Sequence, residues 1–384
     1  MKIIHIHTDL KFLYDSNRFE NKNFENIIII IGNKGNYEGE FSGSALFFKF
    51  SAKNLRNIIA ICKLADMVVL YDLNFPKAYI ANRLPKSVII VWRFFGLELY
   101  GQMPDFVFSD QTLKASKEMS VNYNYLYFKN LLVQNLNKLR FSTNLKMEFE
   151  KAAFHRVDYF HGLSKNEYDF LKDFWPHLPA FLQIDYSFLN INYLAVSKAD
   201  SFQKGENNLI IIGNNRSAYN NHLDVINFIE KSNAKKKYKF LMFFNYGQDN
   251  AYTQAVRSKA AATLEITLLE DFLERDKFNQ IYSDASALVI NGHRQMAMGN
   301  IFEALKNNTK IYLNIKNIIL DWLKEEGFCV FSIEDFAADL ENNNIALNKH
   351  EASRNQNNLI SFTGKYSKNA FQEKLIIILN KTSK

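Results

Sequence analysis

Cysteine is nearly absent: Cys62 and Cys329 are the only two in 384 residues, far apart and in no metal-type spacing. They read as reduced core residues of a cytoplasmic protein, which excludes a disulfide framework or a zinc site. No stretch approaches the ~20 apolar residues that span a bilayer, so any membrane contact is peripheral. Five prolines and fourteen glycines are too few for a linker-like or collagenous chain. The chain also lacks a G-x-G-x-x-G fingerprint, a Walker loop, a Gly-x-Ser-x-Gly elbow and zinc-type spacings. It has no D-x-D pair to clamp a metal to a nucleotide, and no metal or other cofactor is expected. Without a helix-turn-helix, zinc-finger or RNP-type motif, nucleic acid is not an expected partner.

What is present is apolar and mildly basic. Hydrophobic residues make up 47%, enough for two cores in a chain too long for one. The formal charge of +7 suits anionic partners without choosing among them. The opening "MKIIHIHTDLKF" is a poor signal peptide and a good first strand.

Short β-branched runs recur at Ile3–Ile6, Ile27–Ile31, Met67–Tyr71 and Val88–Val91, with helical patterns between them. In "AKNLRNIIAICKLA", Leu55, Ile58, Ile59 and Cys62 share one helical face. Runs apolar throughout, alternating with helices, predict parallel sheets covered on both faces. The rhythm restarts at Leu209–Ile212, Phe240–Phe244, Ala287–Ile290, Lys310–Leu313 and Cys329–Phe331. The prediction is therefore α/β, with two tandem Rossmann-like doubly wound domains and a cleft between them. Residues 1–189 form the first domain, 190–205 a linker, 206–365 the second domain and 366–384 a closing helix.

In such folds ligands sit beyond the carboxyl ends of the strands, so the strand-end loops carry the candidates. "LIIIGNNRSAYNNH" ends a strand at Gly213 and continues through Asn214, Asn215 and Arg216. It is either an ordinary turn or a phosphate loop at a helix N-terminus. "LVINGHRQMAMGNIFEALKNN" sets His293, Arg294 and Gln295 after a second strand, with Gly299 and Asn300 opening the next helix and Glu303 within it. Two loops of donors in one domain suit a diphosphate. In the first half, "VIIVWRFFGLELYG" places Trp92, Arg93, Glu98 and Tyr100 at a strand end, and "HIHTDLKF" places His5, His7, Asp9 and Lys11. Core packing is the plain reading of Trp92. Glu98 shows no packing reason, and alternation sends His5 and His7 to the same face.

At these loops the sequence resembles the TDP-N-acetylfucosamine:lipid II N-acetylfucosaminyltransferases (4-acetamido-4,6-dideoxygalactose transferases), GT-B enzymes of surface-polysaccharide assembly. The matching stretches, in family order, are "WRFFGLELY", "GNNRSAYNNH", "FNYGQDNAYTQAVR" and "HRQMAMGNIFEALKNNTKIYLN". Met296 departs from a common second glutamine, and "KNNTKI" lacks the Gly-x-Pro of many GT-B helices. The resemblance implies an inverting transferase whose second domain binds a nucleotide-diphosphate sugar and whose first binds a polyprenyl-diphosphate-linked saccharide. On it, Gly213, Asn214, Asn215, Arg216, His293, Arg294, Gln295, Gly299 and Asn300 line the donor diphosphate pocket. Glu303 is a further candidate for the ribose, as an acidic helix residue is in many GT-B enzymes, though this family's pattern does not require a carboxylate there. Trp92, Arg93 and Tyr100 lie on the acceptor side. Asp9, Glu98 and His7, in that order, are the candidate bases. A GT-B enzyme for another sugar and an inactive nucleotide-sugar-binding scaffold stay open as alternatives.

A lipid-linked acceptor implies a cytoplasmic protein attached to the inner face of the membrane. The stretch from Lys114 to Lys151 fits that contact. It interleaves Lys117, Lys129, Lys138, Arg140 and Lys146 with Tyr123, Tyr125, Tyr127, Phe128 and Leu131–Leu132. A helical excursion with a solvated basic face is the alternative for that stretch.

Overall fold

The computed structural model describes residues 1–9, 12–32, 45–118, 141, 143–186 and 208–382. The expected linker 190–205, Lys11, and residues 119–140 of the basic aromatic stretch lie outside the described residues. The chain divides into two compact units, one of Met1–Leu99, Asn122–Ser187 and Tyr366–Lys384, the other of Tyr100–Val121 and Phe188–Lys365.

The first unit holds a parallel seven-stranded sheet: β1 (Lys2–His7), β2 (Glu25–Ile31), β3 (Ala45–Phe48), β4 (Met67–Tyr71), β5 (Ile89–Arg93), β6 (Tyr159–Gly162) and β7 (Ala180–Gln183). Their order is β3-β2-β1-β4-β5-β6-β7, so the winding reverses between β1 and β4, where ligands gather in this architecture. Every residue of β4 and β5 is buried, which is why both read as unbroken apolar runs. Helix Ala52–Cys62 starts where the Ser51 side chain accepts from the Asn54 N–H, and it buries Leu55, Ile58, Ile59 and Cys62, the face its sequence predicts.

The second unit repeats the plan with β8 (Leu209–Ile212), β9 (Lys239–Phe243), β10 (Ile266–Leu269), β11 (Ala287–Ile290), β12 (Lys310–Leu313) and β13 (Phe331–Ser332). The parallel order is β10-β9-β8-β11-β12-β13. Its core runs from Ile210 and Ile212 through Ile226, Phe240, Val256 and Val289 to Phe336. Two parallel doubly wound sheets are the α/β fold the sequence predicts.

One segment lies elsewhere than the sequence boundaries put it, and the closing helix, assigned to neither domain in the sequence, joins the first. Tyr100–Val121, read with the first domain, belongs to the second unit. The reason is polar as much as apolar: the Ser109 N–H donates to Asn221 Oδ1 at 3.0 Å, Asn221 Nδ2 donates to the Val107 carbonyl at 3.1 Å, and Ala115 packs on the second core. The closing helix, Lys368–Thr382, belongs to the first unit, where Phe371, Leu375 and Leu379 complete its core. Burying three such side chains is worth on the order of 5–9 kcal/mol. Among the described residues no helix is long and apolar enough to cross a membrane.

Candidate functional site

The loop after β8 turns on Gly213, whose φ is +66°. A Cβ there would lie 2.8 Å from His222 Nε2 and 3.3 Å from Asn220 Oδ1, so both backbone and space exclude a side chain. The asparagines that follow serve the loop itself. Asn215 Oδ1 accepts from the Ser217 N–H at 2.8 Å and from Asn220 Nδ2 at 3.0 Å, and Asn214 Nδ2 donates to the Tyr246 hydroxyl at 3.3 Å. Asn221 sits in the left-handed region and exchanges hydrogen bonds with Asn291 at the end of β11. Asn291 in turn accepts from Asn314 Nδ2, beyond β12, at 2.7 Å. Side-chain amides thus satisfy three strand ends that regular structure leaves open.

Arg216, expected beside an anion, is committed to the neighbouring loop. Its Nε donates to the Phe244 carbonyl at 2.8 Å and its guanidinium pairs with Asp249 at 3.0 Å.

Arg294, after β11, is placed differently. Its guanidinium carbon stands 4.6 Å from the centroid of the Tyr219 ring and 5.8 Å from that of Tyr100. One N–H group donates to the Gln295 carbonyl at 2.9 Å, and no carboxylate among the described residues pairs with it. Two aromatic faces hold the cation in a fixed plane while its charge stays unneutralised. Gln295 is buried beside it. The His293 Nδ1–H donates to the Phe106 carbonyl at 2.8 Å, which assigns the unprotonated nitrogen to Nε2, and burial lowers its pKa.

Four residues on, helix Met298–Lys306 begins after Ala297, a left-handed residue (φ 58°) with no side-chain cap. That conformation costs an alanine roughly 1–2 kcal/mol. The helix therefore presents its first-turn N–H groups and its positive dipole end uncapped by any side chain. At Gly299 a Cβ would meet nothing within 4 Å, so the space over the first turn is open. Asn300 Nδ2 donates to the Tyr282 hydroxyl at 2.8 Å, and Glu303 Oε1 accepts from Asn307 Nδ2 at 3.0 Å.

In the first unit the three candidate bases fare unequally. His7 is fully buried, stacked on Tyr71 at 3.9 Å and hydrogen-bonded to Ser16 at 2.9 Å. Burial, with His5 and Lys77 nearby, lowers its pKa to about 2, so it is a neutral core residue. His5 lies on the same face, between Tyr71 and Asn26. Glu98 proves to have a packing role: its Oε1 accepts from the Trp92 indole at 3.2 Å and from the Phe95 N–H at 3.4 Å. Burial raises its pKa. Asp9 is exposed beyond the end of β1.

The residues expected on the acceptor side are structural as placed. Trp92 is wholly buried. Arg93 is buried in an ion network in which Asp15 holds both Arg93 and Arg18 at 3.2 Å and Asp185 holds Arg18 at 2.9 Å. Tyr100 lies in the second unit, with Arg294, because the chain leaves the first unit after Leu99.

No protein-family model matches the chain, and no curated protein matches it. Solved structures do. Sucrose-phosphate synthase from Thermosynechococcus elongatus aligns with a TM-score of 0.64 at 9% identity, over 99% of this chain and 98% of its own. The UDP-forming α,α-trehalose-phosphate synthase of Burkholderia xenovorans gives 0.63 at 9%, over 100% and 99%. Anabaena HepE, in complex with UDP and glucose, gives 0.62 at 9%, over 99% and 100%. The fold is GT-B.

On this GT-B framework two side chains stand out that the sequence reading passed over. Tyr219 supplies the face against which Arg294 lies, yet in the sequence it is one aromatic in a polar loop. Lys77 is wholly buried and ties two strand ends together, donating to Thr8 Oγ1 at 2.8 Å, to the Tyr71 carbonyl, and to Asp72 at 2.8 Å. The available signal was a lysine in the first turn of helix Phe75–Ala81, where the dipole disfavours a cation. Together the strand ends offer an unneutralised cation beside an uncapped helix start in one unit, and an exposed carboxylate in the other.

Proposed function

We propose that the protein is an inverting glycosyltransferase that takes a sugar from a nucleotide-diphosphate donor bound to the second unit. The observation that carries this reading is Arg294, lying over the Tyr219 and Tyr100 rings and without a carboxylate partner among the described residues, four residues before an uncapped helix start. Charge grows on the diphosphate as the bond to the anomeric carbon breaks. Preorganised N–H groups and a guanidinium at that oxygen lower the barrier. Gly299 keeps the backbone approachable, Gly213 makes the positive-φ turn its loop needs, and Arg216 braces the β8 loop against the next one.

Asp9 is the base in this reading. The acceptor oxygen attacks the anomeric carbon, its proton passes to the Asp9 carboxylate, and the nucleotide diphosphate leaves from the opposite face. Glu98 keeps the Trp92 loop in shape, and His7 stays neutral in the core.

The finer assignment rests on the resemblance read in the sequence. It names TDP-linked N-acetylfucosamine as donor and a polyprenyl-diphosphate-linked saccharide as acceptor, met at the inner face of the membrane through the basic stretch 114–151. A UDP-sugar is the second reading, favoured by a GT-B neighbour whose structure contains UDP and glucose. Thermal stabilisation by a panel of TDP- and UDP-sugars decides, because at equal concentration the ligand that binds the native state most tightly raises the melting temperature most. A TDP-sugar that stabilises most supports the first reading and a UDP-sugar the second. No stabilisation by any member of the panel overturns the donor site.

A further inference from the structure

The second sheet carries a feature at its other end. Beside the amino ends of β8 and β9 lies a cavity of about 520 Å³ lined by Asn208, Lys236, Lys237, Tyr238, Lys239 and Asp284. Asn208 precedes β8 and Lys239 opens β9, while the donor loops follow the carboxyl ends. A strand's length, roughly 13–17 Å, separates the two.

The cavity's charge is uncompensated. Lys235, Lys236 and Lys237 form one 3-10 turn, and Lys239 follows after Tyr238. Four cations within five residues make the local potential positive and attract anions. The carboxylates in reach are turned elsewhere: Glu230 pairs with Lys259 at 3.4 Å, and Asp339 with Lys310 at 2.7 Å. Glu341 accepts from the Asn233 N–H at 3.0 Å, and Asp284 accepts from Gln280 at 2.9 Å. Lys237 reaches only the neutral Asn343 side chain, at 3.0 Å. Among the described residues, no carboxylate pairs with Lys236, Lys237 or Lys239. Those three lining lysines against Asp284 leave the cavity with a surplus of two positive charges.

We infer that this cavity is a second anion site, built for a phosphate ester or diphosphate group and separate from the donor site. Concavity and volume favour a compact phosphorylated group over an extended polyanion, and the charge surplus matches a doubly ionised phosphate. The group can come from a free phosphorylated molecule or from a lipid headgroup.

Inorganic pyrophosphate is the probe, titrated calorimetrically at low salt into the full chain carrying Arg294→Ala, which disables the donor site. Binding should persist there and weaken at least tenfold when Lys236→Gln, Lys237→Gln and Lys239→Gln are added. The corresponding triple arginine variant should retain it, which separates charge from any change in folding. Absent binding in the Arg294→Ala protein, or binding that the glutamine variant leaves unchanged, overturns the inference. Sedimentation with phosphatidylglycerol and phosphatidylcholine vesicles distinguishes the sources. If the glutamine variant loses affinity for the anionic vesicles only, the headgroup is the ligand; if vesicle affinity is untouched, the ligand is a free molecule.

Discussion

The guanidinium of Arg294 lies 4.6 Å from the ring of Tyr219, whereas that of Arg216, in the same unit, is paired with Asp249 at 3.0 Å. Two arginines at two strand ends therefore do different work, one free to meet an anion and one bracing a loop. Arg294→Ala should lower turnover by about 10²–10³ with little change in melting, the loss typical of one transition-state donor. Arg294→Lys should recover only part of it, because an ammonium keeps the charge but loses the planar stacking. Steady-state kinetics on both variants check this, and unaltered turnover in Arg294→Ala would remove it as a donor.

The two loop glycines should separate folding from binding. Gly213→Ala forces a side chain into a positive-φ position 2.8 Å from His222, at a cost of about 1–3 kcal/mol, seen as a lower denaturation midpoint. Gly299→Ala meets no neighbour and replaces glycine in a helix, so stability should hold or rise by up to ~1 kcal/mol. Donor affinity should nonetheless fall about tenfold or more, ~1.4 kcal/mol, because the methyl group occupies the space over the first turn. Equal donor affinity in Gly299→Ala and the parent would show that the diphosphate does not lie there.

For the base, Asp9→Asn should slow single-turnover transfer by about 10²–10⁴ without lowering the melting temperature, since Asp9 is exposed. Glu98→Ala should do the reverse, disturbing the loop that its side chain pins to Trp92 while leaving the chemical step within about tenfold. Identical profiles for the two variants would refute this division of roles.

The buried histidines predict an acid-sensitive first unit. Burial lowers His5 to about 4 and His7 to about 2, and His161, stacked on Phe371 at 5.1 Å, well below its ordinary value. With folded pKa values below the unfolded ~6.5, the unfolded chain binds more protons. Stability is thus full above about pH 6.5 and falls as pH drops. Each histidine removes on the order of 1 kcal/mol between pH 7.5 and 5.5, so the three together remove a few kcal/mol. Glu98, whose pKa burial raises, acts in the opposite sense. His161→Phe should reduce the pH dependence by about a third, measured as urea midpoints at the two pH values. Equal midpoints at pH 7.5 and 5.5 would contradict the burial of these rings in their neutral form.

The strands that the sequence revealed are central ones, with the edge strand β13 the exception. β2, β4, β8 and β11 are apolar on both faces and read as continuous runs, while β1 carries its two histidines on one face. The three strands that escaped, β3, β7 and β10, are sheet edges, half-exposed and so without that run. At the candidate site, the sequence located the loops and the Gly213 turn but could not rank Arg216 against Arg294, since both are arginines after a strand. What distinguishes them is whether a carboxylate from a distant segment arrives, and Asp249 does so only for Arg216. Glu98 looked functional for the same reason: its partner, the Trp92 indole, is six residues away and invisible to periodicity.

Helix Lys368–Thr382 has a consequence for biosynthesis. Phe371, Leu375 and Leu379 belong to the core of the first unit, yet the ribosome makes them after every residue of the second. Both pieces of the second unit, Tyr100–Val121 and Phe188–Lys365, are made before the first unit is complete, so the first waits, its sheet formed but one face uncovered. For that interval Ile3, Val69 and Val91, which these residues cover in the finished core, are open to solvent and to other nascent chains. A protein shortened before residue 368 would remain in that state permanently, with its second unit intact and its first prone to aggregate.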